Sequence, residues 1–179
     1  MSKHNGKALD EKALRQWFAR AVPVPVTFRE VLEPPETAGQ YLTGDDVINV
    51  LRPGDPTLAD LTFLGVLAHE AAHATKHESR LNRNSIHKFE DWLSLLTGDL
   101  RPLEETTADV AAAQLGAELG FDVGSIATRA ELNLEAAPDH YKPRIREDAR
   151  RAVEWLKARA ATVDSRPFED DLKVWAEAA

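Results

Sequence analysis

Hydrophobic and polar positions follow a strand-like pattern in the first part of this chain and a helical one afterwards. A first helix is predicted near residues 10–21 by an apolar stripe at helical spacing: Leu14, Trp17, Phe18 and Ala21. Residues 24–31 then alternate as a strand does, and Pro25 places that strand at a sheet edge, since proline cannot donate to a ladder. Pro34-Pro35 ends it.

A hairpin follows, and the rest of the chain has helical spacing. Residues 40–43 and 47–51 flank Gly44-Asp45-Asp46 and are typical of two paired strands. After Pro56 the apolar residues recur with the period of a helix, and this pattern is broken at residues 98–102, 120–124 and 138–143. The last two helices are predicted at residues 144–161 and 167–177. We predict an α+β fold in a single domain, 1–179, with a small N-terminal antiparallel sheet and a mainly helical remainder.

One predicted helix, residues 57–76, carries an H-E-x-x-H motif: His69, Glu70 and His73. Four residues are slightly more than one helical turn, so both imidazoles project from one face and can share an ion. Two imidazoles and a third ligand leave one position of a zinc ion open for water, and Glu70 is placed to take a proton from that water. The alternative is a surface helix with two solvated histidines, which the apolar flanks disfavour. Thr57 is the predicted N-cap.

Two further features bear on the ligand set. Glu105 and Asp109 lie four residues apart in a second Ala- and Leu-rich segment, 103–120, and Glu-x-x-x-Asp on a second helix is typical of gluzincins. We predict that Glu105 binds the metal and that Asp109 accepts a hydrogen bond from a ligand imidazole, that of His69. Glu104 is the competing ligand, and both acids could instead be ordinary exposed residues. His77 continues the four-residue spacing but lies too far along a continuous helix, about 12 Å from His69, so we assign it a supporting role.

Composition and charge limit the function classes. The net charge of −8 disfavours nucleic-acid binding, and a basic cluster after the metal helix (Lys76, His77, Arg80, Arg83 and Lys88) is either a solvated helix end or a site for an acidic substrate. With 0 Cys, only His and carboxylates remain as zinc ligands. There is no apolar run of about 20 residues and no signal-peptide pattern, so we expect a cytoplasmic protein without a membrane span.

The motifs resemble a known family. Residues 67–83 (LAHEAAHATKHESRLNR), 104–109 (EETTAD) and 117–120 (AELG) are similar to the zincin-like metallopeptidase domain of ArdC-type antirestriction proteins and related polyvalent proteins of phages and plasmids. The similarity spans roughly residues 41–156. It implies a zincin-like fold whose zinc-site pattern falls on four residues of this chain: His69, Glu70, His73 and Glu105.

Three departures limit what the resemblance implies. Lys76 stands where the family commonly has Gly, and the link between Arg83 and Glu104 is divergent, with its own amphipathic piece at 89–96. Full-length ArdC-type proteins also carry an N-terminal domain that binds single-stranded DNA, for which this chain has no room. DNA binding and antirestriction activity are therefore not implied, whereas the zinc site is.

The sequence thus predicts a zinc peptidase acting on a peptide or protein, with Glu70 as general base. An oxyanion donor is expected after the second helix, at Tyr141 or His140, with Tyr141 favoured and simple packing of that tyrosine against Pro138 and Pro143 as the alternative. Residues 47–50 are the candidate edge strand for the substrate, or else a purely structural hairpin strand. Mn, Fe or Co could replace zinc.

Two other functions stay open. One is a non-catalytic, zinc-stabilised binding protein that acts on a partner such as a restriction enzyme through its acidic surface. The other is a protease specific for one regulator or phage protein. The sequence indicates neither the oligomeric state nor the substrate.

Overall fold

The computed structural model describes residues 9–35, 37–58, 60–83, 103–162 and 171–177. Its elements follow in this order: α1 (Glu11–Ala21), β1 (Val26–Arg29), β2 (Gly39–Leu42), β3 (Val47–Leu51), α2 (Phe63–Ala74), α3 (Leu103–Leu119), α4 (Ile126–Ala136), α5 (Lys142–Thr162) and α6 (Asp171–Glu177). The amphipathic piece predicted at 89–96, the predicted break at 98–102 and the predicted start of the last helix at 167 lie outside the described residues. The α+β prediction of a small sheet followed by helices is confirmed.

Helix α1 forms where the apolar spacing predicted it. The Asp10 side chain caps its N-terminus by accepting a hydrogen bond from the backbone N–H of Ala13 at 2.8 Å. The apolar stripe is buried, and Phe18 is fully enclosed against the ring of Phe121. This helix therefore closes one side of the core.

The sheet has the order β1-β3-β2, with β2 antiparallel to β3 and β1 parallel to β3. The sheet is therefore mixed, and the predicted antiparallel sheet is wrong in this respect, because β1 joins β3 in parallel. β1 is an edge strand, as Pro25 predicted, and its backbone is covered: the N–H of Phe28 donates to Asp171 of α6 at 2.6 Å. The other edge, β2, faces α2.

The candidate substrate strand at 47–50 was assigned wrongly. These residues belong to β3, which is the central strand and pairs on both sides, so it has no free edge for a peptide. Four of its five residues are buried, as expected for a strand covered on both faces. The near-continuous apolar run Val47-Ile48-Asn49-Val50-Leu51 was the sequence signal for a central position.

Helix α2 begins at Phe63, later than predicted, and Thr57 lies instead in a short 3₁₀ turn. The N-cap is Thr62, whose hydroxyl oxygen accepts from the N–H of Gly65 at 3.0 Å. Tertiary contacts set this start: the Thr62 hydroxyl donates to the carbonyl of Asp122, and the N–H of Ser125 donates to Asp60. A Cβ on Gly124, which has a φ of +60°, would lie 2.2 Å from the Asp60 carbonyl oxygen.

Helices α2, α3 and α5 form the centre of the core. Small residues let α2 and α3 approach closely, with Ala68, Ala72, Ala108 and Ala112 all fully buried. Among the described residues, no helix is both long and apolar enough to cross a membrane. The arrangement fixes the relative position of two helices that carry the predicted ligands.

Candidate metal centre

Helix α2 brings His69 and His73 onto one face, where both are buried. Their rings meet edge to face with centroids 4.7 Å apart, and their Nε2 atoms are 3.1 Å apart. The four-residue spacing produces this arrangement directly, because the two side chains lie one above the other on the helix. The surface-helix alternative, with two solvated histidines, is not what the structure has.

Helix α3 brings Glu105 to the same point. One carboxylate oxygen of Glu105 lies 3.3 Å from Nε2 of His69, and the other lies 3.2 Å from Nε2 of His73. Two donors bound tetrahedrally to one ion at about 2.0–2.1 Å would be about 3.3–3.4 Å apart. The separations between these three side chains therefore match those of a divalent metal site, and His69, His73 and Glu105 can hold an ion.

Asp109 supports His69 from behind. Its Oδ1 lies 2.8 Å from Nδ1 of His69, and the carboxylate is fully buried. Arg129 of α4 holds the same carboxylate, with its Nε donating to Oδ2 at 2.9 Å. The Asp109 carboxylate beside Nδ1 of His69 favours a proton on that nitrogen, and an imidazole in this tautomer presents its Nε2 lone pair to an ion.

His73 has the corresponding support from Glu104. The Oε1 of Glu104 lies 3.3 Å from Nδ1 of His73, and Oε2 accepts from Arg83 at 2.9 Å. Arg83 is itself buried and also donates to the carbonyl of Ala72 and the hydroxyl of Thr75. Glu104, which the sequence left as a competing ligand, thus contacts the far side of His73 and not the side where the three donors meet.

Sequence reasoning missed the two arginines. Arg83 follows α2 in a loop and Arg129 lies on α4, so neither shares a helix with the carboxylate it holds. Arg83 was visible only as one member of the basic cluster, and no spacing rule pointed to Arg129. Their roles come from tertiary packing.

The pKa values of the site residues follow from these contacts. Burial lowers the pKa of His73, but hydrogen bonds with Glu104 and Glu105 outweigh burial and raise it to about 10. Burial raises the pKa of Glu105, yet the two imidazoles hold that pKa well below its usual range. An ion entering the site therefore displaces protons from the imidazoles.

A cavity of about 400 Å³ opens onto the three donors. Glu70 lines it, buried and packed against β2: a Cβ on Gly39 would lie 2.9 Å from Cγ of Glu70. Residues 37–41, which include most of β2, form one wall. The edge strand β2 therefore borders the candidate metal site.

The remaining predicted residues lie elsewhere. Tyr141 packs in a separate apolar cluster with Leu103 and Ile145, and its ring lies 4.0 Å from that of His140. Neither residue is among those that line the cavity, and the oxyanion role of Tyr141 or His140 stays a prediction. His77 lies beyond the end of α2 and is half-buried, with Nδ1 2.8 Å from the hydroxyl of Ser79.

Comparison with known proteins agrees with this geometry. The family model of the zincin-like metallopeptidase domain (MPTase-PolyVal) matches residues 31–135. Among solved structures, the Mn(II)-bound antirestriction protein ArdC from plasmid R388 is similar, with 23 % sequence identity and a TM-score of 0.55, over 88 % of this chain and 55 % of that one. The chain thus spans about half the length of ArdC. No curated protein gives a significant match. The family match covers more than half of the sequence, and the chain belongs to the zincin-like metallopeptidase family.

Proposed function

We propose that this protein is a zinc-dependent peptidase. The proposal is carried by one observation: the three donors His69, His73 and Glu105 meet at one point, and a further carboxylate, that of Glu70, lines the same cavity. Two imidazoles and one carboxylate suit zinc best among the divalent ions, and this set leaves a position open for chemistry. When bound, the ion supplies Lewis-acid polarisation of the scissile carbonyl and lowers the pKa of a water.

Glu70 is the proposed general base. It lies one residue after His69, so it is directed close to the donors without being one of them. On this proposal its carboxylate takes a proton from the attacking water and passes that proton to the leaving amine. The close packing of Glu70 against Gly39 fixes the carboxylate at the cavity wall.

Strand β2 is the proposed binding edge for an extended substrate. Leu51 donates its N–H to the carbonyl of Ala38, and hydrogen-bonded pairs alternate along an antiparallel ladder. Gly39 and Tyr41 therefore direct their backbone N–H and C=O groups away from β3, toward an edge with which no other described strand pairs. A peptide added there as a further strand would run past the donors, and β2 takes the role that the sequence assigned to residues 47–50.

Two measurements on one variant test the proposal. Glu70→Gln keeps the shape of the side chain but removes the base, so we expect normal folding, about one zinc per chain, and peptidase activity lower by about 10²–10⁴-fold. Zinc is measured by elemental analysis and activity by mass spectrometry of a peptide mixture. Replacement of His69, His73 or Glu105 by Ala should instead remove the metal.

The competing function is a non-catalytic binding protein stabilised by its metal. It predicts that Glu70→Gln leaves the biological activity unchanged, since a binding surface needs no base. Activity that survives this substitution with full metal content would contradict the peptidase proposal.

A further inference from the structure

Two basic side chains line the cavity, Lys76 and Arg129, and two more, Arg80 and Arg83, contact residues that line it. Three of the four are neutralised by a carboxylate. Arg80 pairs with Asp46 at 2.6 Å; Arg83 pairs with Glu104, and Arg129 with Asp109. Within the part of the chain that the structure describes, no hydrogen bond or salt bridge is made by the Lys76 ammonium.

The acids near Lys76 are already engaged. Glu104 contacts both His73 and Arg83, and its interaction with Lys76 is a longer-range electrostatic attraction. Glu105 faces the two imidazoles, and Glu70 is the proposed base. The two negative charges of Glu70 and Glu105 would balance the charge of a divalent ion. The positive charge of Lys76 would then remain without a balancing negative charge in the cavity.

The backbone of Lys76 is fixed beside the metal site. Its N–H donates to the carbonyl of His73 at 3.0 Å, and its own carbonyl accepts from the N–H of Arg83 at 3.1 Å. The side chain is half-buried in the cavity wall. A cation held this close to a ligand histidine is within reach of a substrate side chain one or two residues from the scissile bond.

The opposite end of the cavity has a different character. Its lining there is mainly apolar, from Leu61, Val66 and Ile126, with Arg129 already engaged by Asp109. Helix α2 runs from Val66 to the donors, and Lys76 follows its end. The cavity therefore has an apolar end and a cationic end, with the donors between them.

We propose that the cavity selects peptides with an aspartate or glutamate close to the scissile bond, and that the Lys76 ammonium recognises this carboxylate. The proposal rests on the peptidase function for the scissile bond, but the recognition itself is a binding property. Lys76 is thus a specificity residue, and it takes no part in the proton transfers assigned to Glu70.

The first experiment measures cleavage by the zinc-loaded chain of 179 residues. An equimolar mixture of randomised decapeptides with blocked ends is digested, and the cut sites are read by mass spectrometry. We expect Asp and Glu to be enriched over Asn and Gln by about fivefold at one position beside the cut, as for a partly exposed ion pair. Lys76→Gln should lose this preference while cleaving neutral peptides as before, and Lys76→Glu should favour Lys and Arg at the same position.

A matched control removes the same charge from a lysine that does not line the cavity. Lys142 is paired with Asp139 at the start of α5, so Lys142→Gln should keep the wild-type preference. An unchanged acidic preference in Lys76→Gln would overturn the proposal. So would a loss of rate for all peptides alike, since that result would give Lys76 a general role in turnover.

A second experiment separates this proposal from the peptidase function. Zinc-loaded Glu70→Gln is immobilised and exposed to the same peptide mixture, and the retained peptides are sequenced. Enrichment of acidic residues that disappears in Glu70→Gln/Lys76→Gln supports the proposal even if the wild type cleaves nothing. Equal retention by the two proteins overturns the proposal, whatever the wild type cleaves.

Discussion

Gly39 is the closest point between the edge strand and the proposed base, and its replacement by alanine tests that contact. The added Cβ would lie 2.5 Å from Cγ1 of Val66 and 2.9 Å from Cγ of Glu70. Ordinary carbon–carbon contacts are about 3.5–4.0 Å, so β2 and α2 must separate by about 1 Å. Such overpacking costs about 1–3 kcal/mol of unfolding free energy.

The same displacement moves Glu70 relative to the three donors. A misplacement of about 1 Å in an active site lowers turnover by about 10²-fold. None of the three donors is among the atoms closest to the added Cβ, so the metal content should stay at the wild-type level. Gly39→Ala is therefore expected to separate turnover from metal binding.

Gly44→Ala is the matched control. A Cβ at Gly44, in the turn between β2 and β3, meets no atom within 4 Å. Urea unfolding gives the stability of both variants, and digestion of the peptide mixture gives their turnover. If the unfolding free energies of Gly39→Ala and Gly44→Ala agree within about 0.5 kcal/mol, the close contact between β2 and α2 does not exist in solution.

Three further predictions concern the residues around the donors. Arg83→Met should leave Glu104 buried without its cation, destabilise the protein by about 3–5 kcal/mol in urea unfolding and weaken zinc binding, whereas Arg80→Met should leave zinc affinity unchanged. Asp109→Ala should weaken zinc binding by about 10–100-fold in competition with a chromogenic chelator, and wild-type affinity would refute its role in holding His69. Tyr141→Phe should leave both zinc content and peptide turnover unchanged, and a tenfold or greater loss of turnover would instead support the oxyanion role predicted from the sequence.

The sequence predicted those parts of the site that depend on spacing within one helix. His69 and His73 share a face because helical geometry places residues four apart together, and the same geometry places Glu105 and Asp109 together. The meeting of the two helices was inferred from the chemistry, since two imidazoles need a third ligand. In the structure the donor atoms of His69, His73 and Glu105 meet at one point, and Asp109 contacts His69.

What the sequence did not predict depends on contacts between distant segments. The start of α2 is set by the loop near Gly124, and the order of the sheet is set by the parallel pairing of β1 with β3. Neither follows from local propensity. The assignment of residues 47–50 as an edge strand failed because a hairpin pattern shows which strands pair but not which further strand joins them.

The consecutive acids Glu104 and Glu105 show how α3 serves both imidazoles. Neighbouring residues on a helix point about 100° apart, so Glu105 meets the Nε2 atoms of both histidines while Glu104 reaches behind His73. Asp109, one turn further along, reaches behind His69.

Each of the two supporting carboxylates is held in turn by an arginine from another segment. Burying such ion pairs contributes little net stability, since desolvation offsets most of the attraction. A fold that needed only a stable core could replace them with apolar residues. Their presence at both ligand histidines is therefore best explained by a requirement to hold the two imidazoles in fixed orientations, as a metal site requires.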